Sequence, residues 1–238
     1  MDEIKYIFDF FRQLKYNNNV DWMHTNKKTY ENARDAFYAL GDKIINQLSQ
    51  TDPSIAHQTA KDSSFRLARD TRFSANKLPY HTHFGLLLTP QGKMSAMAGY
   101  FIYLQPNDED GEYFSTTMIG AGIYAPPARL AKIIREAIDD EGEILEQYLL
   151  SDTFKNSNLQ LIDNEKLRAL PKQWKESPHQ ELIKLKHWML AQYIDEKEVE
   201  SDNFINKVVN TFRAAHSWNS FLNQTLIENG ENLSWKNK

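Results

Sequence analysis

Hydrophobic spacing changes period twice along this chain, and that change limits the possible folds more than any other feature. Ile4, Ile7, Phe8, Phe11 and Leu14 recur at three- and four-residue steps, which lines them along one helix face ending near Asn17-Asn18-Asn19. Asn19 is a candidate cap for the segment after it. Tyr30, Ala33, Phe37, Leu40, Ile44 and Leu48 mark one face of a long second helix. Residues 51–63 are polar, include Pro53 and read as a loop. Short apolar runs then take over at 84–88, 97–104 and 112–119, separated by Pro90-Gln91-Gly92 and a polar turn over 106–111. They predict an antiparallel meander over about residues 83–119.

Helical spacing then returns. Pro127 sits at the first turn of a helix carrying Leu130, Ile133, Ile134 and Ile138, and 144–150 continues in the same style. Ser177-Pro178-His179-Gln180 resembles a capping box opening a helix through about Trp188. Residues 189–194 suit an extra strand. Phe204, Val208 and Phe212, then Trp218, Phe221 and Leu222, predict helices near the C-terminus, with a polar tail over 228–238 that should fray. Helices at both ends and consecutive strands between them indicate an α+β fold, not a doubly wound parallel sheet. No linker rich in Gly, Pro or Ser divides the chain, so residues 1–227 are expected to form one domain.

Composition narrows the function classes. The chain has 238 residues, 41% of them hydrophobic, enough for a sizeable core. It has no cysteine, which removes disulfides, zinc ribbons, iron–sulfur clusters and thiol nucleophiles. A formal net charge of −4 weighs against nucleic acid or an anionic membrane as the general partner. The Met1-Asp2-Glu3 start lacks a signal-peptide pattern and no apolar run approaches membrane-spanning length. A cytoplasmic location is the expectation.

Positive charge is nevertheless concentrated in one place. Residues 65–83 carry Arg66, Arg69, Arg72 and Lys77 against Asp70, a net of +3 with His neutral, in a chain whose other residues sum to −7. Guanidinium groups three residues apart share a stripe on a helix and alternate faces on a strand; either way they offer bidentate contacts to carboxylate or phosphate. Asp70 can orient an Arg, act as a base or bind metal, and Lys77 and Tyr80 can hold an anion or move a proton. Asp70, Lys77 and Tyr80 are therefore the candidate catalytic groups. Arg66, Arg69, Arg72, His81 and His83 are the candidate ligand contacts. Phe65, Phe73 and Leu78 read as core residues.

The run Arg66-Leu-Ala-Arg69-Asp70-Thr-Arg72-Phe73-Ser-Ala-Asn76-Lys77-Leu-Pro-Tyr80 resembles the signature of the mainly bacterial DUF2461 family. Phe8 to Leu14, Asn18, Trp22, Gly99-Tyr100, Gly120-Ala-Gly122-Ile-Tyr124 and Leu170-Pro171 agree with it, so the likeness spans nearly the whole chain. Met23, Asn76 and His81 depart from the residues usual in the family. The resemblance implies no particular reaction, because no function is established for the family.

Other signals are weaker. His81 and His83 would face the same side of a strand, which suits a metal pair, but no third ligand is identifiable and no metal site is assigned. Gly120-Ala-Gly122-Ile-Tyr-Ala125 fits the dinucleotide-binding glycine pattern, yet Pro126-Pro127 interrupts the needed strand-to-helix turn. Two versions survive: a turn at Gly120 and Gly122 that, with the next helix, offers backbone N–H groups to an anion, and, preferred over it, a glycine-rich strand exit with positive φ. Asp108-Glu109-Asp110-Gly111 lacks the remaining ligands of a calcium loop. The leading expectation is a protein that binds or transforms a small anionic ligand, phosphorylated ones included, at residues 66–83, with the cofactor unknown and no membrane partner. The alternatives are a structural or partner-binding module with the segment as an ion-pair clamp, and a nucleic-acid module. Oligomeric state is not legible.

Overall fold

The structure, a computed structural model, describes residues 2–229 and 233–234. Three helices open the chain: α1 (Asp2–Tyr16), α2 (Val20–Thr25) and α3 (Lys27–Leu48). Asn19 caps α2, its side chain accepting the Trp22 N–H at 2.9 Å, so the expected cap is present. The stretch over 51–63 is more ordered than a loop. Asp52 caps a short 3-10 turn at Pro53–Ile55, and Thr59 caps α4 (Ala60–Ser63).

The strands are β1 (Phe84–Leu88), β2 (Gly99–Leu104) and β3 (Thr117–Ile123). Helices α5 (Ala128–Glu141), α6 (Glu143–Leu150) and α7 (Asp152–Asn156) come next, then β4 (Gln160–Leu161), α8 (Gln180–Ile183), β5 (Trp188–Ile194), α9 (Glu196–Val199), α10 (Phe204–Ala214) and α11 (His216–Asn229). The sheet is antiparallel with order β1-β2-β3-β5-β4, so the expected α+β class and meander hold.

Several boundaries differ from expectation. The third strand begins at Thr117 rather than 112, because Gln105–Thr117 contacts close a loop first: Gln105 N–H donates to Thr117 Oγ1 and Asp108 N–H to Ser115 O. The helix expected from Ser177 to about Trp188 is only Gln180–Ile183; Ser177 Oγ accepts the His179 N–H, and Trp188 already belongs to β5. Part of the polar tail is anchored: Leu233 is buried and its carbonyl accepts the Ala96 N–H at 2.6 Å. Residues 230–232 and 235–238 of the expected tail lie outside the described residues.

One sheet face is covered by helices. Phe84, Leu86, Leu88, Tyr100, Ile102, Leu104, Ile119, Ala121, Trp188, Leu190 and Ile194 point into a core shared with Phe8, Phe11, Phe37, Ile44, Val208, Phe212 and Trp218. Residues directly opposite on paired antiparallel strands share a face. Gly85, Phe101, Tyr103, Met118, Gly120 and Ala191 therefore point the other way, where Tyr103, Met118 and Ala191 form a small second cluster with Phe101, Phe114 and Ile162. That second face is where residues 64–83 and the β2–β3 loop meet. Among the described residues, no helix is long and apolar enough to cross a membrane.

Candidate functional site

The charged segment is an irregular hairpin. Phe65 N–H donates to Gly85 O at 2.9 Å, His81 N–H to Leu67 O at 2.9 Å and Arg69 N–H to Pro79 O at 2.8 Å, with bridges pairing Ser64 with Leu86 and Ala68 with Tyr80. Pro79 has no N–H to give, yet it can serve here because the ladder uses its carbonyl. The chain reverses through a tip at 70–78 shaped by side chain-to-backbone turns. Asp70 Oδ1 accepts the Arg72 N–H and Asn76 Oδ1 the Leu78 N–H. Asn18 pins the base to the helices: its Nδ2 donates to Tyr80 O at 2.9 Å and its Oδ1 accepts the Tyr80 N–H at 3.1 Å. Leu67 drives into the core and Tyr80 packs against it. Phe65, Phe73 and Leu78, expected as core residues, are exposed: Phe65 lies against Phe101 on the open sheet face, and Phe73 and Leu78 sit in the tip.

At the hairpin base, four polar side chains converge. His81 Nδ1 lies 2.8 Å from Glu112 Oε2, and His83 Nδ1 lies 3.7 Å from the same oxygen. The other carboxylate oxygen, Oε1, is 3.0 Å from Arg69 Nη1, an ion pair outside hydrogen-bond alignment. The side chains of Arg69, His83 and Glu112 are largely buried and that of His81 is less so. His83 stacks on Tyr103 with ring centroids 4.2 Å apart and meets the Tyr113 ring edge-on at 5.6 Å. Its Nδ1 is buried and has no hydrogen-bond partner. Burial first, then the charges of His81 and Arg69, push the His83 pKa from 6.5 down to about 3, so its ring is neutral across the physiological range. Burial also raises the Tyr113 phenol, with Glu112 adding to the effect.

A cavity of about 190 Å³ opens beside this group, lined by Phe65, Arg66, His81, His83, Phe101 and Tyr113, with Gly85 at its floor. A side chain at Gly85 would press on Phe65, its Cβ falling 3.1 Å from the Phe65 ring. Glycine there leaves that ring room against the sheet.

The candidate residues fall into separate groups. Arg66, His81 and His83 share the cavity, and Arg69 stands behind them on Glu112. Asp70 and Arg72 pair bidentately at the exposed tip, at 2.9 and 2.6 Å, which lowers the Asp70 pKa and raises that of Arg72. Lys77 donates to Thr71 O at 2.9 Å in the same tip. Tyr80 is half-buried against the core. Gly120 and Gly122 are not on a turn. They sit inside β3, a central strand whose N–H groups are spent on β2 and β5, so they offer no anion cradle. Gly122 has φ +121°, and a Cβ there would lie 2.0 Å from Trp188 O, so close strand approach explains this glycine.

Glu112 was not among the expected residues. It sits in the acidic run 108–112, read as a solvated turn plus the start of a strand, and nothing in that run sets it apart. Its neighbour Asp108 does pair outward, with Lys15. Glu112 supplies the third donor that the sequence did not reveal: donor atoms of His81, His83 and Glu112 all lie within 4.8 Å of one another, a set able to hold a metal ion.

No curated protein and no solved structure is significantly similar to the chain. The family comparison agrees with the hairpin motif: residues 6–221 match the family described as "Conserved hypothetical protein (DUF2461)", and the chain belongs to that family.

Proposed function

We propose that the protein binds a small anionic ligand in the cavity beside the hairpin base. One observation carries the reading. Arg66 lines the cavity and, among the described residues, makes no hydrogen bond or ion pair, whereas Arg69 and Arg72 are each committed to a carboxylate. A guanidinium left available beside a cavity suits carboxylate or phosphate, which it holds through two parallel N–H donors. Phe65 and Phe101 suit a flat or apolar portion of the same ligand, and the phenol of Tyr113 can bond a polar edge. Asp70, Lys77 and Tyr80 do not line the cavity, so they are not assigned roles in chemistry.

The structural-clamp reading also has an observation in its favour, the Arg69–Glu112 pair, which locks the hairpin to the β2–β3 loop. The two readings are compatible, because they use different arginines.

The test is a thermal-shift panel of inorganic phosphate, small phosphate esters and dicarboxylates, run on wild type and Arg66→Ala. A compound at about 100 times its dissociation constant adds roughly 2.7 kcal/mol, a rise of about 5–10 °C in a domain of this size. A rise abolished by Arg66→Ala supports the reading. No rise with any compound, or one that survives the substitution, overturns it.

A further inference from the structure

We infer that His81, His83 and Glu112 form a binding site for one first-row divalent transition-metal ion, of the zinc or ferrous class, at the inner wall of the cavity. Two imidazoles and one carboxylate are the donors such ions prefer, and magnesium and calcium favour all-oxygen sets. Donors held at about 2.1 Å from an ion stand about 3.0 Å apart at right angles and about 3.4 Å apart at the tetrahedral angle. The separations from Glu112 Oε2 to the two histidine Nδ1 atoms, 2.8 and 3.7 Å, bracket those values. All three donor atoms lie within 4.8 Å of one another, so the two imidazoles must draw together around an ion to bind it.

A second observation points to a ligand. His83 Nδ1 is buried without a hydrogen-bond partner and faces Glu112 Oε2 across a gap too long for a hydrogen bond. A buried polar atom in that position calls for a partner. An ion between the two atoms supplies it.

The carboxylate divides its labour. Oε1 faces Arg69 and Oε2 faces both histidines, so Arg69 orients the ligand from behind without occupying the metal position. Three protein donors leave at least one coordination position open, and His81 and His83 also line the cavity. Charge supports an anion in that position. Arg69 already offsets the Glu112 carboxylate, so a bound divalent ion leaves excess positive charge that an anionic ligand would neutralise together with Arg66. This coupling rests on the ligand reading above; the metal site itself does not, because its three ligands do not include Arg66.

The experiment starts from full-length protein stripped with chelator and titrated with Co²⁺ and Zn²⁺ by calorimetry and visible absorption. The expected result is one saturable site per chain, with Co²⁺ d–d bands of a low-coordinate nitrogen–oxygen site that Zn²⁺ displaces. His81→Asn, at the most exposed of the three ligands, and Glu112→Gln should each weaken Zn²⁺ by more than about 100-fold, and Arg69→Lys by roughly 10-fold, since outer partners cost less than ligands. Circular dichroism checks that each variant is folded. His24→Asn, at an exposed histidine, should leave binding unchanged. Inorganic phosphate should bind more tightly to the metal-loaded form, and the metal more tightly with phosphate present, by the same factor. Absence of a saturable site in the wild type, or equal binding by folded His81→Asn, overturns the metal inference. Metal binding without any phosphate effect keeps the metal site and removes only the coupling to the anionic ligand.

Discussion

Arg69 and Glu112, at the hairpin base, have side chains 12% and 13% exposed; Arg72 and Asp70, at the tip, are 76% and 40% exposed. Both pairs join a guanidinium to a carboxylate at hydrogen-bonding range. The tip pair forms between residues two apart in a turn, in water, where solvent screens the attraction and two mobile side chains must be ordered to make it. The base pair joins residues 43 positions apart in a largely desolvated place, where each charge depends on the other. Contact type is therefore a poor guide to importance in this segment, and burial is the better one. The same division separates the residues beside the cavity from those that only decorate the turn.

The largest expected effect comes from removing one half of the base pair. Arg69→Ala leaves Glu112 without its cation and should cost about 3 kcal/mol in urea unfolding. Arg69→Met with Glu112→Gln should recover part of that loss, because neither buried charge remains. A loss under about 1 kcal/mol for Arg69→Ala would break the comparison, since base and tip would then be equivalent.

A smaller effect comes from pH. The folded pKa of His83, about 3, lies below its ordinary 6.5, so protons bind the unfolded chain more readily. Stability from this group is complete above pH 6.5 and falls as pH drops toward 3, by at most about 1.4 kcal/mol per pH unit. In metal-free protein, His83→Asn should flatten that part of the stability–pH curve. An unchanged slope would place His83 outside the desolvated group.

At the other extreme, Arg72→Ala should leave the urea midpoint unchanged, and so should Asp70→Ala. A measurable drop for either would show that the tip is not a solvated turn. Arg72→Ala should not alter a phosphate-induced thermal shift, because Arg72 does not line the cavity.

Much of the frame was legible from spacing. The apolar steps in α1 and α3, the cap at Asn19 and the runs at 84–88 and 189–194 report on neighbours in sequence, and local geometry comes from those neighbours. The motif also marked a segment that contributes to the cavity. What spacing could not show is how its members divide. Arg66, Arg69 and Arg72 look equivalent as a triplet, but the ladder between 64–69 and 79–86 sends one to the cavity, one to Glu112 and one to the tip. Gly120 and Gly122 matched a turn pattern, yet a glycine allowed by close strand approach carries the same letter as one required by a turn.

Residue order alone determined the α+β class, the positions of the main helices and strands and the place of the charged hairpin, because periodicity and turn chemistry act over a few residues. Only the tertiary structure decided which side chains meet beside the cavity. Glu112 reaches His81 from 31 residues away, and it does so because the β2–β3 loop folds back over the open sheet face onto the hairpin. That meeting depends on how the two loops settle against a shared sheet, and a pairing across such a distance leaves no mark in the spacing of either partner.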